Sequence, residues 1–189
     1  AGGGAWNFIS NQTASSDSDI SFTSGIDSTY KEYIFTFNNI HPSEDDKHFT
    51  FQGNASGGSG YNETMTTTTF QAYHTEGDGS AGDVSGFSYY AAGDQAQGTA
   101  FQLIGPYVCY DNDSGSSGYL HLFNPSSTTF VKHFMAVTMQ FDFHHTGTYA
   151  TPQHTAGYFN TTSAIDEIQF KMSSGNIDAG DICLYGITT

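Results

Sequence analysis

An all-β fold, a β-sandwich of jelly-roll type in one domain, is predicted for this 189-residue chain by three features of its sequence. Apolar residues alternate with polar ones over many short runs, the mark of strands with one face in a core. Gly, Ser, Asn and Asp cluster between those runs and supply the chemistry of turns. The large apolar side chains are 16 Phe, 12 Tyr and 11 Ile against only four Leu, and aromatic and β-branched residues suit a pleated, half-buried surface. One count points the other way. Leu, Ile, Val and Phe make up 35 of 189 residues, just under the roughly 20% below which a highly charged chain stays disordered. Two others outweigh it: charged residues are 12% of the chain and aromatics 15%, and each buried ring removes about 150–250 Å² from water.

Taken in order, Ala1-Gly2-Gly3-Gly4-Ala5 reads as a flexible or subunit-bridging arm, and residues 6–189 as the sandwich domain. The first strand starts at Trp6-Asn7-Phe8-Ile9. Tyr33, Phe35 and Phe37 share one face of the next clear run, and His48-Phe49-Thr50-Phe51-Gln52 repeats the pattern. The longest run extends from Phe130 to Phe143. Val131, His133, Met135, Val137, Met139, Phe141 and Phe143 share one of its faces, with Lys132, Thr138, Gln140 and Asp142 on the other. Ile168–Met172 and Asp181–Tyr185 close the series. Turn-forming clusters at 15–19, 53–60, 76–86, 111–118 and 173–176 separate these runs. Roughly ten to twelve strands in one domain of this kind read as a sandwich. No window carries a capped helical stripe.

The charge excludes whole classes of partner. The chain has no Arg, four lysines (Lys31, Lys47, Lys132, Lys171) and 19 acidic residues, for a formal charge of −15. Neutralising phosphates requires clustered Lys or Arg, so nucleic acid is excluded as a partner. An anionic membrane surface is excluded for the same reason, and no apolar run approaches the roughly 20 residues of a spanning helix.

Motifs that carry chemistry are weak. Glycoside hydrolysis needs two facing carboxylates, but Glu44-Asp45-Asp46 reads as a solvated turn. Glu63, Glu167 and Asp142 are placed on strands with no spacing that pairs them. No G-x-S-x-G elbow supports a Ser-His-Asp triad. His144-His145 point to opposite faces in a regular strand, and no H-x-H or H-E-x-x-H motif occurs. Asp111-Asn112-Asp113-Ser114-Gly115 has the oxygen spacing of the front of a calcium loop, yet the twelfth position is Leu122 rather than Glu. The expectation is therefore no catalytic residue and no cofactor, a structural calcium being the one alternative. Cys109 and Cys183 are expected as free strand thiols, with a disulfide the alternative. Tyr89, Tyr90, Tyr107 and Tyr110, all close to loops, are candidates for stacking on a sugar ring.

The C-terminal third carries a resemblance. Gly157-Tyr158-Phe159-Asn160-Thr161-Thr162-Ser163-Ala164-Ile165-Asp166-Glu167-Ile168-Gln169-Phe170 is followed by Ser173-Ser174-Gly175-Asn176-Ile177-Asp178-Ala179-Gly180 and Leu184-Tyr185-Gly186-Ile187. Upstream stand Tyr30-Lys31-Glu32-Tyr33, Ile40-His41-Pro42, Phe51-Gln52-Gly53-Asn54, Tyr61-Asn62-Glu63-Thr64 and Leu122-Phe123-Asn124-Pro125-Ser126-Ser127. From Trp6 to Ile187 this pattern resembles virion structural proteins of marine tailed bacteriophages, of decoration or fibre type. The resemblance implies a non-enzymatic protein on the outer surface of the particle. It would be a capsid decoration (cement) protein or a short fibre-type appendage, contacting other capsid or tail proteins and forming a homo-oligomer such as a trimer. A carbohydrate- or receptor-binding module of a tail fibre, contacting a host-surface glycan, is the alternative. An apolar patch facing a lattice would mark the first reading, and aromatics gathered in one concavity the second.

Overall fold

The computed structural model describes residues 5–77, 85–144 and 147–188. Their regular structure is strand apart from one turn of 3₁₀ helix at Ala91–Gly93. The strands are β1 (Trp6–Thr13), β2 (Ile20–Phe22), β3 (Glu32–Pro42), β4 (Lys47–Ala55), β5 (Met65–Thr75), β6 (Ser85–Tyr89) and β7 (Ala96–Gly98). They continue as β8 (Gln102–Val108), β9 (Ser116–Phe123), β10 (Lys132–His144), β11 (Gly147–Phe159), β12 (Ile165–Met172) and β13 (Ile177–Ile187). The all-β class expected from the sequence is what the chain adopts.

All thirteen strands join in one antiparallel sheet. One run follows the order β1-β13-β3-β9-β10 and continues through β11 and β5 to β6; the other is β8-β4-β12-β2. They connect where Asp142 of β10 pairs with Val108 of β8. The far ends approach again, since the Gln12 side chain of β1 donates to the Ser21 carbonyl of β2 at 2.6 Å. The sheet thus rolls around its own core. The core is aromatic: Phe170 of β12 lies 5.2–6.3 Å, ring centre to ring centre, from Phe22, Phe35, Phe37, Phe49 and Phe51. Most of these contacts are edge to face, the arrangement that ring quadrupoles favour.

The core changes character along its length. Between β3, β9, β13 and β4, β12 it is Phe, Leu and Ile. On the inner face of β5, β10 and β11 it is Thr67, Thr69, Thr138, Gln140, Asp142, Thr151, Gln153 and Thr155, all buried. These groups bond across to β8 and the 3₁₀ turn. Thr138 Oγ1 donates to the Ile104 carbonyl, Thr67 Oγ1 to Gln102 Oε1 at 2.8 Å, and Gln102 Nε2 to the Gly93 carbonyl at 2.7 Å.

On β10, therefore, the polar face is the inner one. Pairing with β9 and β11 places Phe134 and Ala136 in the core. Strand parity then carries Lys132, Thr138, Gln140 and Asp142 inward as well and turns Met135, Val137 and Met139 outward. Lys132 is fully buried, its ammonium donating to the carbonyls of Phe130 (2.8 Å) and Thr161 (3.1 Å). Burial pushes its pKa down, against a smaller opposing pull from Glu63.

The β9–β10 pairing depends on Gly118. A Cβ there would lie 2.2 Å from the Val137 carbonyl oxygen and 2.7 Å from Thr138 Cα, both backbone atoms that cannot swing away. Gly118→Ala is expected to cost about 1–3 kcal/mol through forced strand separation. Equilibrium urea unfolding checks it; an unchanged midpoint would contradict the close approach.

Candidate functional site

Outward-pointing positions of β9, β10, β11, β5 and β6 form one continuous surface. Cross-strand register assembles it: Tyr119 lies opposite Val137, Val137 opposite His154, His154 opposite Phe70, and Phe70 opposite Tyr89. A second row runs from His133 past Tyr158 to Thr66, with Phe123 lining the same hollow. The solvent face of an antiparallel sheet normally carries polar and charged residues. Among the described outward residues of these five strands there is no Asp, Glu or Lys. They carry His74, His121, His133 and His154 among methionines, aromatics, threonines and alanines.

Much of this surface is bare. Met135 is 53% exposed, Met139 45%, Phe87 72% and Tyr89 64%. The side chains nonetheless hold one another in place. Phe70 stacks on His154 (4.8 Å between ring centres, 6° between planes) and packs against Phe87 at 5.4 Å. His121 stacks on Phe123 at 4.0 Å and bonds Glu32 of β3 through Nε2 at 2.9 Å. A shallow apolar trough of about 430 Å³ crosses the surface, lined by Phe123, His133, Met135, Ala156, Gly157 and Tyr158 among others. At the opposite edge of the same layer, Trp6 and Phe8 of β1 stand exposed against Tyr185 at 5.5 and 5.8 Å.

A second feature is a polar groove of about 570 Å³ where the end of β3, the 111–115 turn and the start of β13 converge. Asn39, His41, Asp113, Ser117, Phe141 and Asp178 line it. His41 Nδ1 lies 3.9 Å from Asp178, and its Nε2 reaches the Tyr110 carbonyl at 3.1 Å. Asn39 has a left-handed backbone, φ +51°, which Asn tolerates better than most residues.

The four candidate tyrosines do not form one platform. Tyr89 belongs to the five-strand surface, its hydroxyl donating to Asp94. Tyr90 and Tyr107 are a hydroxyl-bonded pair at 3.0 Å with rings 6.4 Å apart. Burial and the neighbouring Tyr107 hydroxyl raise the Tyr90 pKa far above the ordinary phenol value. Tyr110 is 52% exposed beside His41 at the polar groove. Of the arm, residues 1–4 lie outside the described residues; the Ala5 carbonyl accepts from Asn7 Nδ2 at 2.9 Å.

The carboxylates are held separately. Glu167 accepts from Asn54 and from the Tyr61 hydroxyl. Glu63 lies in the loop before β5, not on a strand, and accepts the Ala55 N–H at 3.1 Å. Asp142 sits in the buried polar layer, with Thr151 Oγ1 donating to its Oδ2 at 3.1 Å. Burial lifts its pKa to about 7, with a smaller contribution from Asp46. Asp142 Oδ1, Gln140 Nε2 and Gln153 Oε1 have no partner among the described residues. Both cysteines are free thiols. The 111–115 segment is a turn closed by the Ser114 N–H on the Asp111 carbonyl, and no group of three or more His, Cys, Asp or Glu that could hold a metal occurs among the described residues.

The alternating pattern of the sequence carries Met135 and Met139 but assigns them no function. The available signal was the partner face: Thr, Gln and one Asp, groups that hydrogen bonds can satisfy inside a protein, rather than the charged residues of a solvated strand. No protein-family model matches this chain, and no curated protein is similar to it.

Proposed function

We propose that this protein is a non-enzymatic structural subunit of a bacteriophage virion. It would sit on the particle exterior as a head decoration protein or a short fibre-type appendage. The observation that carries the reading is the five-strand surface, whose outward strand residues include no Asp, Glu or Lys among the described residues. In a chain of charge −15, uncharged apolar area on this scale marks a face that another protein covers. The strand order supports the reading too. One layer runs β1-β13-β3-β9 and the other β2-β12-β4-β8, so that these eight strands alternate between layers in chain order except at β4 and β8, which pair within one layer. We read this as a jelly roll, with β5–β7 and the β10–β11 hairpin enlarging one layer, an architecture shared by viral capsid and lectin domains. The negative charge suits an outward position away from packaged DNA, where it keeps particles dispersed. The test is a reconstruction of purified particles, in which the rolled sheet should appear at symmetric positions outside the shell or on the tail. Absence of the chain from purified virions would overturn the proposal.

The polar groove favours a second reading, a glycan-contacting module. Carboxylate, amide and imidazole groups beside an exposed ring, as at Asp113, Asn39, His41 and Tyr110, suit sugar hydroxyls and a pyranose face. A glycan array should then show binding that Asp113→Ala reduces at least tenfold; a blank array removes this reading.

A further inference from the structure

We infer that the five-strand apolar surface is the contact between two copies of this chain, packed face to face about a twofold axis. The inference rests on the reading of this surface as a covered face and names its occupant.

Charge selects that occupant. Each copy carries 19 acidic residues against four lysines, and one of those lysines, Lys132, is buried. Two such molecules repel over most approaches. Fixed charges are felt over about 8 Å at physiological ionic strength, so the approach of least repulsion joins the surfaces whose described outward strand residues include no carboxylate, with Glu32, Glu76 and Asp94 held in hydrogen bonds to His121, Thr148 and Tyr89. A cationic partner would be drawn to the acidic remainder of the molecule, and nothing on this surface would recognise it. A strongly acidic partner would find no lysine here to pair with. An uncharged apolar surface on an acidic protein is complementary to itself, and a twofold contact requires that self-complementarity.

Size agrees. Five strands about 4.8 Å apart and about 30 Å long present roughly 600–800 Å² per copy, or about 1,200–1,600 Å² for the pair. That is the range of a stable, specific interface. The composition agrees as well: aromatic residues and Met are enriched and acids and Lys depleted in interface cores. Met135 and Met139 project from β10, between β9 and β11 of the surface, where an unbranched thioether adapts to an opposing relief. The trough beside them, between Phe123, His133 and Tyr158, gives the partner's side chains a place to enter.

The experiment is sedimentation velocity and light scattering on the purified chain from about 1 to 100 μM. A species of twice the 20.4 kDa monomer is expected. The double variant Met135→Lys/Met139→Lys should run as a monomer, with at least a hundredfold weaker association. Its circular dichroism should be unchanged, because both side chains leave the surface without touching the core. Phe8→Lys, on the distant β1 edge, should remain dimeric. A second measurement needs no variant: dilution of the wild type should speed amide exchange in β10, β11 and β5 and leave β12 unaffected. A wild-type monomer throughout the range, or a dimer indifferent to both lysines, overturns the inference. Particles separate it from the virion reading. A chain that is monomeric in solution but whose double variant fails to enter virions would leave that reading standing with another virion protein as the occupant. A lysine-sensitive dimer absent from virions would establish the contact and overturn the virion reading.

Discussion

Replacing Phe170 with Ala is expected to lower the unfolding free energy by about 3–5 kcal/mol, enough to leave a domain of ordinary stability partly unfolded. Phe170 is fully buried and meets five other phenylalanine rings drawn from β2, β3 and β4. Removing it takes away the transfer energy of one ring and leaves a cavity that five rings anchored on three strands cannot close. Phe170→Leu refills part of the space and should cost about half as much. Chemical unfolding followed by the fluorescence of Trp6 checks both. A loss below about 1 kcal/mol for the alanine variant would mean that the two layers are not held together at this ring cluster.

The second large effect depends on pH. Asp142 has its pKa raised from 3.8 to about 7, chiefly by burial, so the folded state disfavours its charged form. Its folded pKa exceeds the unfolded one. The stability tied to the neutral acid is therefore fully present below about pH 4 and is lost as pH rises through about 7. At ~1.4 kcal/mol for each tenfold change, the ceiling is about 4 kcal/mol. Asp142→Asn keeps the shape and stays neutral. It should be more stable than the wild type by about 2–4 kcal/mol at pH 8 and no more stable at pH 4. Thermal melts across that interval are the measurement. A variant that follows the wild-type pH profile would show that Asp142 is ionised without penalty in the folded state.

The sequence made the class of fold legible because two elementary signals agreed. Alternation over Tyr33–Phe37, His48–Gln52 and Ile168–Met172 matched strands whose Phe and Ile side chains are now seen in the core. Composition added that the core would be ringed with Phe rather than filled with Leu. The short β2 and β7 left too little periodicity to read. The orientation of β10 was not legible either. Alternation shows that two faces differ but not which one faces inward, and here Met135, Val137 and Met139 made the outer face look like the apolar, core-bound one. What decides is tertiary: Phe134 and Ala136, between those residues, register with β9 and β11 in the core. The four tyrosines share nearness to loops, a property that says nothing about which way neighbouring rings turn. Tyr89 and Tyr90 consequently belong to different surroundings.

The place of β13 has a consequence for how the chain acquires its structure. This strand lies between β1 and β3 and hydrogen-bonds to both, Trp6 pairing with Ile187 and Phe35 with Leu184. During synthesis the first and third strands are made long before the strand that separates them. Until it arrives they have unpaired edges, and pairing of β1 with β3 would shut β13 out. Contacts between such remote segments carry a large loop-closure cost and place the fold among the slow, millisecond-to-second formers. The acidic side chains that keep folded molecules apart therefore have an earlier task. They hold nascent chains from one another while β1 and β3 wait, open-edged, for the strand that belongs between them.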